Sequence, residues 1–93
     1  MVAIRKCTEN FVATEVDDEI LIVDLDGGEL FSLTGTARTV WEAIDGKRSE
    51  PDIVGKMTEM HEGNLETISG DVARLLQEFE QAALVARDTH KPL

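Results

Sequence analysis

Asp26-Gly27-Gly28 separates two runs of strand-forming residues, and a helix start follows almost at once; no other segment limits the fold as tightly. The run before it is Glu19-Ile-Leu-Ile-Val-Asp-Leu25. The run after it opens the stretch Gly28-Glu-Leu-Phe-Ser-Leu-Thr-Gly-Thr-Ala-Arg-Thr-Val-Trp-Glu-Ala-Ile-Asp-Gly46. Glycines between two such runs are a hairpin signal, because they accept the positive φ that a tight reversal needs. Thr34 then stands at a helix N-cap, Ala37, Val40, Trp41 and Ile44 repeat at helical spacing, and Gly46 is placed to stop the helix. A hairpin that feeds directly into a helix fixes a sheet edge beside that helix.

The remaining elements follow by the same signals. Phe11-Val-Ala-Thr-Glu-Val16 reads as a first strand, turned into the second by Asp17-Asp18. The third strand, Glu29–Leu33, alternates: Phe31 and Leu33 share one face, Leu30 and Ser32 the other. Ser49 caps a second helix with Pro51 in its first turn and Ile53, Val54, Met57 and Met60 as its apolar face, ending at His61-Glu-Gly63. Asn64 caps a third helix, with Thr67 as a competing start, whose stripe runs Ile68, Val72, Leu75, Leu76, Phe79, Ala82 and Ala83. Residues 1–10 read as a lead-in in which Val2, Ala3 and Ile4 can add a short extended piece. Leu84-Val85-Ala86 can pair with the sheet, and His90–Leu93 frays. The expectation is an α+β fold: a small winged-helix-like domain over residues 11–86, a three-stranded antiparallel sheet followed by three helices, with a flexible tail at 87–93. The third strand has no sequence-adjacent partner on its far side.

Charge and residue chemistry exclude several classes of function. A net charge of −10 opposes nucleic acid and anionic membranes, since both are bound through Lys and Arg. The apolar run Ile20–Val23 is far too short to span a bilayer, and Arg5 and Lys6 are not followed by the apolar core of a signal peptide. One cysteine, Cys7, makes no internal disulfide, so a cytoplasmic location is expected. His61, His90 and Cys7 do not fall at metal-ligand spacing. Gly27, Gly28 and Gly35 lack the Gly-Lys-Ser/Thr ending of a phosphate loop. The carboxylates Asp17, Asp18 and Glu19, with Asp24 and Asp26, lack the spacing of a calcium loop. Trp41, Met57 and Met60 read as core. No catalytic group, metal or cofactor is expected.

The Gly28–Gly46 stretch resembles the pyrroloquinoline quinone biosynthesis protein D (PqqD) family, whose members show a glycine, bulky residues, a Leu-Asn pair, a Gly-Ala element and then Ile-Trp-Glu-Leu-Leu-Asp-Gly. The likeness extends from about Phe11 to Val85, through Ser49–Met60 and the ending Leu76-Gln-Glu-Phe-Glu-Gln-Ala-Ala-Leu-Val85. Thr34 stands where Asn is usual, and Ala83 where glycine usually precedes the last Leu-Val. The resemblance implies a non-catalytic module that binds the leader of a ribosomally made precursor peptide and presents it to a modifying enzyme. The leader peptidase of lasso-peptide pathways and radical SAM proteins are such enzymes. It further implies that the leader adds as a strand to the third strand, in the groove beside the third helix.

On that reading the peptide-binding residues are Glu29, Leu30, Phe31, Ser32 and Leu33 from the strand, and Val72, Arg74, Leu75, Leu76, Glu78 and Phe79 from the helix. An unpaired strand offers N–H and C=O groups to an extended chain, which is a common mode of peptide binding. A proline at Phe31 or Ser32 is expected to remove an edge donor. Leu76 lies on one border of the helical stripe and Asp71, Arg74 and Glu78 on the other, and helical periodicity leaves open which border faces the peptide. Arg74, the one cation on the helix, is expected to pair with an acidic leader side chain. Two alternatives stand beside this reading: a winged-helix transcriptional regulator, and a structural subunit whose sheet edge is permanently covered. The acidic third helix argues against the first, because a DNA-reading helix carries the opposite balance.

Overall fold

The computed structural model describes residues 2–60 and 63–88. In chain order these form strand β1 (Ala3–Lys6), a 3-10 turn (Thr8–Asn10), strands β2 (Phe11–Val16), β3 (Glu19–Asp24) and β4 (Leu30–Leu33), helices α1 (Gly35–Ala43), α2 (Glu50–Met60) and α3 (Leu65–Gln81), and strand β5 (Val85–Asp88). Strands β2, β3 and β4 make the expected three-stranded antiparallel sheet, in that order.

The β3–β4 hairpin closes through a glycine bulge. Gly28, at φ 70°, donates its N–H to the Asp24 carbonyl (2.8 Å), and Asp24 N–H donates to the Glu29 carbonyl (2.9 Å). The Asp24 carboxylate accepts from the N–H groups of Asp26 (3.1 Å) and Gly27 (3.2 Å), so the turn holds itself shut. Each helix start falls where expected. Thr34 precedes α1, although its hydroxyl makes no capping bond. Ser49 and Asp52 cap α2 reciprocally: Ser49 N–H donates to the Asp52 carboxylate (3.0 Å) and Asp52 N–H to Ser49 Oγ (3.4 Å). Asn64 Oδ1 accepts from Glu66 N–H (2.8 Å). The predicted end of the second helix at His61-Glu62, and His90–Leu93, lie outside the described residues.

The core fills the space between the inner sheet face and the helices. Phe11, Ile20, Ile22 and Leu33 meet Val40, Trp41, Ile44, Ile53, Met57, Val72, Leu76 and Phe79. Trp41 is 3% exposed and makes edge-on contacts with Phe11 and Phe79, each 5.3 Å between ring centroids. Pleating sends Val12, Val23 and Leu30 to the outer face, where they form a cross-strand row and remain exposed.

Two expectations about the chain ends change. The short extended piece expected at Val2–Ile4 is a full strand over residues 3–6, and β5 pairs with it, Ala3 opposite Asp88 and Lys6 opposite Val85, rather than with the three-stranded sheet. The extended end therefore runs to Asp88, beyond Ala86, so residues 87 and 88 belong to a strand. Ile4 and Val85 are buried, Ile4 N–H donates to the Arg48 carbonyl, and Gly46 N–H donates back to Ile4 (both 2.9 Å). Cys7, also buried, donates its N–H to the Leu84 carbonyl (2.8 Å).

The turn between α3 and β5 shows why glycine would suit position 83, where this chain has alanine. Leu84 N–H donates to the Phe79 carbonyl (2.9 Å) and Ala83 N–H to that of Glu80 (3.0 Å), the two bonds of a Schellman cap. That cap needs a left-handed residue, and Ala83 adopts φ 61°. A Cβ is disfavoured there, so Ala83→Gly is expected to raise stability by about 0.5–1 kcal/mol. Chemical denaturation checks this; an unchanged or lower midpoint would mean the turn carries no strain.

Candidate functional site: the β4 edge and the groove beside α3

Alternation along the hairpin decides which backbone groups face outward. The Asp24–Glu29 bond makes that pair a hydrogen-bonded one, so in the register Ile22↔Phe31 and Ile20↔Leu33 the N–H and C=O groups of Phe31 and Leu33 are spent on β3. Those of Leu30 and Ser32 point away from it. No described strand pairs with that side of β4, because β5 is committed to β1. The free edge thus offers two donors and two acceptors in a row. The proline expectation divides accordingly. At Ser32 proline removes an outward donor, whereas at Phe31 it removes a bond internal to the sheet.

Beside this edge runs a groove of about 530 Å³. Its sheet wall is Glu29, Phe31, Ser32 and Leu33, and its helix wall is Leu75, Glu78, Phe79, Gln81 and Ala82, with Ala37 and Leu84 closing the floor and ends. Of the strand residues expected to bind peptide, Glu29, Phe31, Ser32 and Leu33 line it; of the helix residues, Leu75, Glu78 and Phe79 do. The other four stand elsewhere. Leu30 is 62% exposed on the outer face, so it reaches the edge through its backbone alone. Val72 and Leu76 are fully buried, pointing into the core from the far side of the stripe. Arg74 sits on the groove border one turn before Glu78, but it is exposed and its guanidinium lies 3.9 Å from the Asp71 carboxylate, outside the lining. The border that flanks the groove is therefore the Arg74–Glu78 side, not the Leu76 side.

Ala37, Gln81, Ala82 and Leu84 complete the lining and were not singled out by sequence. Ala82 lies on the apolar stripe and Ala37 on the apolar face of α1, where a small side chain leaves the space a larger one would fill. Gln81 and Leu84 carry no such signal. The Ser32 hydroxyl is turned to the outer face, where it donates to the Glu19 carboxylate.

Electrostatically the groove differs from the rest of the surface. Arg38 bonds Glu15, which holds its guanidinium more firmly protonated than usual, and it also meets Glu42 at 3.2 Å. Arg87 is likewise held protonated by Glu50 (2.8 Å) and Glu80 (2.5 Å). The Asp45 carboxyl is pushed below the ordinary carboxylate range by the N–H groups of Lys47 and Arg48 (both 2.9 Å), and Arg48 also pairs with it. Lys6 lies over the Trp41 ring, 4.9 Å from its centroid, and burial lowers its pKa against the pull of Glu42 and Asp45. These contacts tie loops and strands together at a distance from the groove. Among the described residues no helix is long and apolar enough to cross a membrane.

The fold is shared with two solved structures. One, described as TbiB1 in complex with the TbiA(beta) leader peptide, superposes with a TM-score of 0.78 at 17% identity, over 95% of this chain and 99% of that one. The other, described as lasso peptide synthetase B1 complexed with the leader peptide, gives a TM-score of 0.77 at 18% identity, over 89% and 96% respectively. Curated proteins gave no sequence match. The family model described as coenzyme PQQ synthesis protein D (PqqD) matches residues 19–85, which run from the first residue of β3 to the first of β5 and so take in the free edge, all three helices and the groove. The chain belongs to the PqqD family.

Proposed function

We propose that this protein is a non-catalytic leader-peptide-binding protein. It holds the leader of a ribosomal precursor peptide as an added strand on β4 and presents the remainder to a modifying enzyme, of the leader-peptidase or radical SAM type. The observation that carries the reading is the free edge at Leu30 and Ser32, standing directly beside an open, largely apolar groove. Backbone pairing there gives affinity without regard to sequence, and side chains that drop between Phe31 and Phe79 give selectivity. The two structures of the same fold that hold leader peptides lend it support, as does the family. The α3 surface, with Glu66, Asp71, Glu78 and Glu80 against Arg74, does not suit a DNA duplex.

The test is titration of a labelled leader peptide encoded at the same locus. Ser32→Pro is expected to weaken binding tenfold or more, about 1.4 kcal/mol, while the protein stays folded. Full affinity in a folded Ser32→Pro variant would exclude strand addition at this edge.

A further inference from the structure

The arginines that make ion pairs in this structure each meet a carboxylate of their own, yet the groove carries carboxylates with none. Glu29 on the sheet wall and Glu78 on the helix wall both line it, no Lys or Arg does, and neither Glu is in an ion pair among the described residues. At the hairpin end a second cavity of about 430 Å³ continues the first, sharing Glu29, Gln81 and Ala82 and adding Asp24 and Asp26. The groove is therefore mainly apolar along Phe31, Leu33 and Phe79, with Glu78 on its helix wall, and acidic where it passes Glu29 and the hairpin. Binding a neutral or acidic strand there would desolvate Glu29 and Glu78 with no counter-charge beside them. A cation on the ligand supplies that counter-charge.

We infer that the groove selects an extended peptide with a Lys or Arg two residues from a bulky apolar side chain. Register fixes the spacing. Glu29, Phe31 and Leu33 share the helix-facing side of the sheet, so ligand residues opposite them are also two apart. In an antiparallel addition the peptide reads apolar-x-apolar-x-basic; in a parallel one, basic-x-apolar-x-apolar. This reverses the expectation built on Arg74, because that side chain stands outside the lining beside Asp71 while Glu78 lies inside. The inference rests on the strand-addition reading and names its substrate class.

Selection of phage-displayed random decapeptides on the immobilised full-length chain tests it. Peptides kept by the wild type are expected to show Lys or Arg, about fivefold above library frequency, two positions from an apolar residue. Glu29→Gln with Glu78→Gln abolishes that preference, and Glu29→Lys with Glu78→Lys replaces it with Asp or Glu. Selected peptides with no basic preference, or a preference the double Gln variant retains, would overturn the inference. If such peptides are still lost on Ser32→Pro, strand addition stands and only the charge rule fails. If peptides survive Ser32→Pro, or none is selected at all, both fail.

Discussion

Trp41→Ala is expected to remove a large share of the stability of this domain. The indole is nearly enclosed, wedged between Phe11 from the sheet and Phe79 from α3, with the Lys6 ammonium over its face. Truncation leaves a cavity that α1 cannot close without leaving the sheet, and such aromatic-to-alanine changes cost about 3–5 kcal/mol. The two edge-on ring contacts go with it. Domains of this size have about 5–15 kcal/mol in total, so the variant should melt far below the wild type by circular dichroism, and Trp41→Phe should fall between. A wild-type melting temperature in Trp41→Ala would mean that the sheet and helices are not held through this residue.

Deletion of residues 1–6 should be equally damaging, although the sequence marks that segment only as a lead-in with a short extended piece. It removes Ile4, which is fully buried, strips β5 of its partner and leaves Val85 uncovered. It also frees the Arg48 carbonyl and the Gly46 N–H that Ile4 satisfies. Ile4→Ala alone is expected to lose about 2–5 kcal/mol, against about 0.5 kcal/mol or less for Thr8→Ala at an exposed neighbouring site. A truncated chain with unchanged denaturation would return residues 1–6 to the role of a tail.

What could be read from sequence divides along the range of the interactions. The β3–β4 hairpin, the three helix starts and the Trp41 core position depend on residues a few places apart, and all came out where the glycines, caps and helical spacing put them. Pairing of β1 with β5 depends on residues about eighty apart in two four-residue strands, with no turn between them to announce it. The groove was legible in outline only. Helical periodicity found the stripe that holds Leu75 and Phe79, but it could not say that Val72 and Leu76 are turned into the core and Glu78 into the groove. For Leu30, alternation sets it on the face opposite Phe31, yet its side chain is counted with the binding residues; it stands on the outer face, and only its backbone reaches the edge beside the groove. Ala37 and Ala82 contribute by being small, which no motif records.

The β1–β5 ladder also makes the chain a ring in all but covalent connection. Residues 3 and 88 sit opposite one another, so the path that leaves one end returns beside it after passing through every other element. Closing so long a loop is entropically slow, and it becomes easier once the hairpin and helices have already shortened the distance to be closed. A domain whose ends meet can be spliced into a loop of another protein without stretching either strand. Binding would then travel with the unit, since its groove is built wholly from residues inside the ring.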